Sequence, residues 1–148
     1  MSRPIRIATR ALIMQQNRLL LVNAWPDGKS DLWCAPGGGA EPHSALPDNL
    51  AREVFEETGL TVDVGTPVLV NEFHDPDRGF HQVDVYFHCT TKDQLPKEWS
   101  DPENIVTQRR FFDRQEMNQI RYKPDSLPAV AWGDERAITY DALELLVR

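Results

Sequence analysis

The chain is 148 residues long, which predicts a single domain over residues 1–148 with room for a real core. It is 41% apolar and 26% charged, without repeats, low-complexity tracts or an apolar run of about 20 residues, so a soluble globular chain is expected. A formal charge of −7 argues against a nucleic-acid polymer or an anionic membrane as the main partner, since both need basic surface, whereas a small anion brought in with its metal is compatible.

In chain order, Ile5 to Met14 and Arg18 to Val22 predict a hairpin around Gln15, Gln16 and Asn17. Cys34 lies in a segment that reads as a buried strand, ahead of the Gly37, Gly38 and Gly39 run. A helix follows, starting between Ala45 and Pro47, with Ser44 as its N-cap or Pro47 as its first residue. Gly59 ends it as the left-handed residue, with apolar Leu60 after it. Alternating runs at Val62 to Phe73 and Gln82 to Cys89 predict two strands, separated by a turn at Asp75 to Gly79. Asp93 to Asn104, holding Pro96 and Pro102, predicts a loop. Then come a strand at Val106 to Phe112, a short helix at Arg114 to Ile120 and a closing helix at Tyr140 to Val147. Periodicity alone gives a mixed α and β fold.

The chemistry concentrates in Arg52-Glu53-Val54-Phe55-Glu56-Glu57-Thr58-Gly59-Leu60. Glu53, Glu56 and Glu57 are spaced i, i+3 and i+4 and share one helix face, while Leu50, Ala51, Val54 and Phe55 occupy the opposite arc and predict a buried side. Three carboxylates that close repel one another unless they are solvated or a cation sits among them. Hard ions such as Mg²⁺ and Mn²⁺ prefer oxygen ligands. Arg52, four residues before Glu56, can pair with it along the helix.

With Gly38 ahead of it, this spacing resembles the Nudix hydrolase motif: Gly, five residues, Glu, seven residues, Arg-Glu, apolar, any, Glu-Glu, any, Gly, apolar. Gly38, Arg52, Glu53, Val54, Glu56, Glu57, Gly59 and Leu60 match; Ser44 stands in place of the first glutamate, and Glu41, three residues earlier, is a partial substitute. The hairpin at Arg10 to Val22 and the strand around Arg109 to Phe112 extend the resemblance over residues 5 to about 120. It implies an α/β (mixed α+β) fold, an α/β/α sandwich around a mixed central sheet. It further implies a pyrophosphohydrolase cleaving the phosphoanhydride of a nucleoside diphosphate linked to another group, with Mg²⁺ or Mn²⁺ as cofactor. On that reading Glu56 and Glu57 are metal ligands, Glu53 is a third ligand or a base, and Arg52 orients Glu56. Ser44 keeps a second reading open, a sensor of the same family that binds nucleotide without turnover. A structural cation site without chemistry is a third.

In the glycine run ahead of the helix, Gly38 and Gly39 are candidate substrate contacts that let backbone approach closely. Arg10, alternating with Arg6 on one strand face, is a candidate for phosphate, and Trp25, followed by a polar loop, for stacking on a base. Glu103 is a candidate extra base. His74, His81 and His88 read as surface or packing residues, with His81 and Asp84 beside the turn as the more interesting pair. Trp33, Phe80 and Trp132 read chiefly as core. Cys34 and Cys89, without metal-ligand spacing, are expected as reduced core thiols, which points to a cytoplasmic location. The expected partner is a nucleotide-like diphosphate, with no nucleic-acid polymer and no membrane; a homodimer is left open.

Overall fold

The structure, a computed structural model, describes residues 3–25, 29–134 and 137–148. Strand β1 (Arg6–Gln15) is its axis. β1 turns into β2 (Arg18–Asn23) through Gln16 and Asn17, whose φ values of 52° and 61° match a two-residue turn twisted like the strands it joins. After β3 (Leu32–Trp33), the glycine run forms a short strand of its own, β4 (Gly37–Gly39), antiparallel to β1 with Thr9 opposite Gly38.

Helix α1 (Leu46–Thr58) starts within the expected interval, with Pro47 in its first turn. Ala45, not Ser44, holds the N-cap position, and no side chain caps that end. Gly59 closes the helix at φ 81°. β5 (Asp63–Asp75) and β6 (Phe80–Thr90) form the longest hairpin, around a 3-10 turn at Pro76–Arg78 and Gly79 at φ 63°. β6 lies parallel to β1, and β7 (Gln108–Phe112) antiparallel to β2.

The C-terminal segment departs from expectation. Instead of a helix over Tyr140 to Val147, the chain forms β9 (Thr139–Tyr140) and β10 (Glu144–Leu145), both parallel to β5. The outer edge of β5 offers unpaired backbone groups, and the segment satisfies them: Asp141 N–H donates to Val70 O at 2.9 Å and Leu146 N–H to His74 O at 2.8 Å. Of the helix expected at Arg114 to Ile120, only a 3-10 turn at Glu116–Gln119 forms. β8 (Arg121–Tyr122) pairs with β3, and a short helix, α2 (Leu127–Ala131), was not anticipated.

The main sheet thus runs β10-β5-β6-β1-β2-β7 and is mixed. Period-two alternation separates its two cores. On one face Ala11, Ile13, Leu20, Phe87 and Cys89 pack against Leu50 and Val54 of α1. On the other, Leu12, Leu19, Leu21, Leu69, Tyr86 and Phe112 pack against Met117, Leu127 and Val130. The result is an α/β/α sandwich. Leu50 and Val54 are fully buried, each contributing about 2 kcal/mol. Phe55 does not join them: it is 46% exposed and meets Trp99 edge to face at 5.2 Å.

Gly37 decides how close β4 comes to β1. A Cβ there would lie 1.9 Å from Thr9 O, at φ 151°, whereas one at Gly79 would meet nothing within 4 Å. Gly37→Ala must push the strands apart, at a cost of about 3 kcal/mol. Gly79→Ala strains only a left-handed turn, at about 1 kcal/mol. Thermal melts of the two variants test this: we expect Gly37→Ala to lower Tm by roughly 6–12 °C and Gly79→Ala by roughly 2–4 °C. Equal losses would mean that the strands tolerate separation.

Candidate active site

Three of the motif carboxylates sit in different surroundings. Glu57 lies on the core stripe of α1, at i+3 from Val54 and i+7 from Leu50, and is only 9% exposed. Its Oε2 accepts the Gly37 N–H at 2.7 Å. Burial raises its pKa to about 8; Arg10 and the Gly37 N–H oppose that rise, while Glu53 and Asp101 add to it. Glu53 faces β4 so closely that a Cβ on Gly38 would lie 2.7 Å from its Oε2. Burial raises the Glu53 pKa too, against Arg52, and Glu56 and Glu103 reinforce it.

Arg52 gathers the exposed side of the cluster. Its guanidinium donates to Glu56 Oε1 at 3.2 Å, Glu53 Oε1 at 3.2 Å, Glu41 Oε1 at 3.3 Å and Asn49 Oδ1 at 3.2 Å. The i, i+4 pairing with Glu56 expected from spacing is present. Glu41 reaches the same guanidinium, whereas Ser44 is exposed in the loop and its N–H donates to Glu41 O at 3.4 Å. Asn49 is a residue the sequence reading missed. Buried, it donates to Gly39 O and Thr9 Oγ1 and accepts the Glu41 N–H, so it ties the glycine strand to the helix. The signal was a polar residue beside Leu50 in the buried first turn.

The far end of α1 is also fastened. Trp99 Nε1 donates to Glu56 O at 3.1 Å, and the Arg109 guanidinium donates to Thr58 O and Pro96 O. The Asp101 carboxylate accepts N–H groups of Glu103, Ile105 and Val106 at 2.9 to 3.2 Å, folding the loop that carries Glu103. That loop brings Glu103 within Coulombic range of Glu53. A polar cleft of about 230 Å³ opens beside Glu57, lined by Lys97, Trp99, Asp101, Thr107 and Arg109 among others.

Arg10 and Arg6 share a sheet face, as expected, with Ala8 between them. Arg10 is bound to the protein: its Nη1 donates to Ala35 O at 3.2 Å and its Nε lies 3.5 Å from Asp84 Oδ2. Burial alone would lower its pKa, but Asp84 and other neighbours including Glu57 outweigh this and keep it charged. Arg6 Nη1 donates to Gln82 Oε1 at 2.5 Å, and Gln82 Nε2 to Asp84 Oδ1 at 2.6 Å. Gly39 lies against Arg6, since a Cβ there would be 2.6 Å from its Nη2. Trp25 is half-buried just after β2, its backbone N–H donating to Asn23 Oδ1; residues 26–28 of the polar loop that follows, Pro26 to Asp31, lie outside the described residues.

His81 and Asp84 do not act together. Asp84 faces Arg10, while His81, an odd number of residues away, faces the other side opposite His74, their rings tilted with centroids 5.9 Å apart. Trp33 packs edge-on to Phe112 and Phe80 lies near Phe73, as packing residues do. Cys34 and Cys89 are free thiols, Cys89 buried and Cys34 only partly so. Among the described residues no three His, Cys, Asp or Glu side chains converge into a ready-made metal geometry; Glu53 and Glu56 are held by Arg52 and Glu57 by the Gly37 N–H.

A sequence model of the family described as NUDIX domain matches residues 4–133. Diphosphoinositol polyphosphate phosphohydrolase 2 of Rattus norvegicus is 35% identical over 98 residues, covering 66% of this chain and 51% of that protein. Nucleoside diphosphate-linked moiety X motif 6 of Mus musculus is 26% identical over 151 residues, covering 86% and 46%. The chain thus spans about half the length of these curated relatives. A solved NUDIX hydrolase from Nitrosomonas europaea shares the fold, with a TM-score of 0.72 at 18% identity, over 99% of this chain and 82% of that one. The glycine strand, the acidic helix packed on it and the match over residues 4–133 agree: the chain belongs to the NUDIX domain family.

Proposed function

We propose that the chain is a metal-dependent pyrophosphohydrolase that cuts the phosphoanhydride of a nucleoside diphosphate linked to another group. One observation carries the reading. Glu53, Glu56, Glu57, Asp101 and Glu103 form a chain of mutually interacting carboxylates, and the cations acting on Glu53 and Glu57 are Arg52 and Arg10. Oxygen donors in excess of positive charge fit a hard divalent ion. Glu53, Glu56 and Glu57 would hold Mg²⁺ or Mn²⁺, which when bound supplies positive charge against phosphate oxygens and lowers the pKa of water. The names of the relatives, a diphosphoinositol polyphosphate phosphohydrolase and a nucleoside diphosphate-linked moiety protein, support a diphosphate bond as the target.

The remaining work falls to side chains of this chain. Arg52 holds Glu53 and Glu56 on one side of α1, from where both would turn toward an ion. Arg10 offsets the charge of Glu57 from across the sheet. Glu103 is our candidate to take a proton from the attacking water, on a loop braced by Asp101, with Glu53 as ligand or alternative base. Lys97, beside Glu57 in the polar cleft, offers a counter-charge for a phosphate oxygen.

Glu56→Gln keeps an acceptor for Arg52 but removes a charge. We expect turnover of a nucleoside diphosphate sugar with Mg²⁺ to fall at least about a hundredfold while the metal-free Tm moves by no more than roughly 2 °C. A wild-type rate would remove Glu56 from the mechanism. Ser44→Glu should lower the Mg²⁺ concentration for half-maximal activity several-fold; an unchanged value places position 44 outside the cluster.

Stability against pH offers a check that needs no substrate. The pKa of Glu57 is raised from 4.5 to about 8, so its contribution to folding is complete below pH 4.5 and is lost as pH rises through about 8. Metal-free protein should therefore lose stability on the order of 3 kcal/mol between pH 5 and pH 8. Urea denaturation across that range should show a much flatter profile for Glu57→Gln. Parallel profiles would mean that Glu57 is solvated.

A further inference from the structure

Helix α1 covers only part of its side of the sheet. It packs over Ala11, Ile13, Phe87 and Cys89 in the later halves of β1 and β6, and among the described residues it leaves the start of each strand uncovered. The strand registers place Ile7, Val83 and Glu72 in one row on that side, His81, His74 and Leu145 in a second, and Val85, Val70 and Tyr140 in a third. Val85 packs against the cluster beneath α1, which fixes the side on which all three rows stand. The Tyr140 hydroxyl donates to Glu72 Oε2 at 2.5 Å along it. A sheet face turned to water normally alternates to polar residues, whereas these rows hold one formally charged side chain, Glu72. Ile5, Ile7, Ile138, Tyr140, Leu143 and Leu145 are 40–64% exposed, and the other exposed large apolar residues among those described are Phe55 and Ile105. Ile5 precedes β1, and Ile138 and Leu143 precede β9 and β10, so all six gather at this face and its margin.

We infer that this face is the contact between two copies of the chain, packed sheet against sheet about a two-fold axis. Area is the first reason. The six residues expose on the order of 600 Å², and the half-buried Val83, His74 and His81 between them bring the face to about the 800 Å² per partner that a stable interface covers. Charge is the second. Each copy carries −7, so two copies repel unless they meet where little of that charge lies, and the one carboxylate in these rows is already hydrogen-bonded within its own chain. A strongly charged partner would find almost nothing here to pair with. The third reason is the C-terminal segment, whose other side closes a cavity of about 110 Å³ with residues 144–147 in its wall. Arg10, Asp84, Lys123, Glu144 and Asn71 line that cavity, Asn71 with a buried Oδ1 that accepts no hydrogen bond. β9 and β10 are two residues each, joined to β5 through the Asp141 and Leu146 N–H groups, and strands so short are marginal alone. A second copy seated on Tyr140 and Leu145 holds them against β5.

Sedimentation velocity over a roughly hundredfold range of protein concentration tests this on the whole chain, in wild type, Ile7→Lys, Leu145→Lys and Ile105→Lys. The last changes an apolar residue of similar exposure, 47%, that lies off the face. We expect a concentration-dependent dimer in wild type and in Ile105→Lys. Ile7→Lys and Leu145→Lys, on strands at opposite sides of the face, should each raise the dimer Kd about a hundredfold or more by burying an unpaired ammonium, so either decides if the other folds poorly. Raising NaCl from about 0.05 to 0.5 M should tighten the wild-type dimer several-fold, because salt screens the repulsion of like-charged chains. Amide exchange gives a readout without a variant: the Asp141 and Leu146 N–H groups should exchange more slowly as wild-type protein is concentrated. A monomer at every concentration, which leaves the face to some other occupant, overturns the inference. So does a dimer that survives both lysines on the face, one that salt weakens, or one whose formation leaves exchange at Asp141 and Leu146 unchanged.

Discussion

The hydrogen bond from the Gly37 N–H to Glu57 joins the helix to the sheet, and most of the site follows from it. Glu57 occupies a stripe that Leu50 and Val54 define as core, so a carboxylate is held where an apolar residue would pack at lower cost. Its neighbours reduce that cost in order: Gly37 donates, Arg10 supplies charge, Asp84 holds Arg10, and Gln82 and Arg6 complete the chain. A polar seam therefore crosses the sheet between two hydrophobic clusters that would otherwise meet. Burial outweighs these neighbours, since Glu57 remains well above its ordinary pKa. A bound cation would favour the ionised form.

Backbone carries as much of the design as side chains do. β4 can lie between β1 and α1 only because Gly37 and Gly38 have no Cβ: one would strike Thr9 O and the other the Glu53 carboxylate. Asn49 then bonds Gly39 O and Arg52 alike, so strand, loop and helix face are set together. Trp99 and Arg109 do the same at the other end of the helix. An acidic helix fixed at both ends keeps its backbone in place despite the repulsion of its carboxylates, so only side-chain rotamers have to change to meet a ligand.

The motif, the helix with its left-handed end and the two hairpins were legible because each rests on local rules: helical spacing, a glycine cap, period-two alternation. The unequal burial of the acids was written there too, in the i, i+4, i+7 series Leu50, Val54, Glu57, but grouping Glu57 with Glu53 and Glu56 by charge hid it. The same grouping put Phe55 in the core, although it stands about 140° around the helix from Leu50. Tyr140 to Val147 failed for another reason. Its apolar spacing suits a helix, and only the open edge of β5, a feature of tertiary structure, turns it into strands. The buried, unpartnered Oδ1 of Asn71 was not legible because an isolated asparagine in a strand carries no pattern.

The chain's charge of −7 argues against a nucleic-acid polymer or an anionic membrane, yet charge acts locally. The carboxylates concentrate on α1 and the loop around Asp101, where a divalent ion would reverse the sign of the field that a diphosphate meets. The cavity across the sheet is balanced instead, its two cations each matched by a carboxylate. One side of the molecule is therefore suited to charge and the other to shape and hydrogen bonding, with Arg10 between them. On the hydrolase reading the chemistry belongs to the helix of the family motif, while the cavity wall at residues 144–147 lies outside the matched residues 4–133.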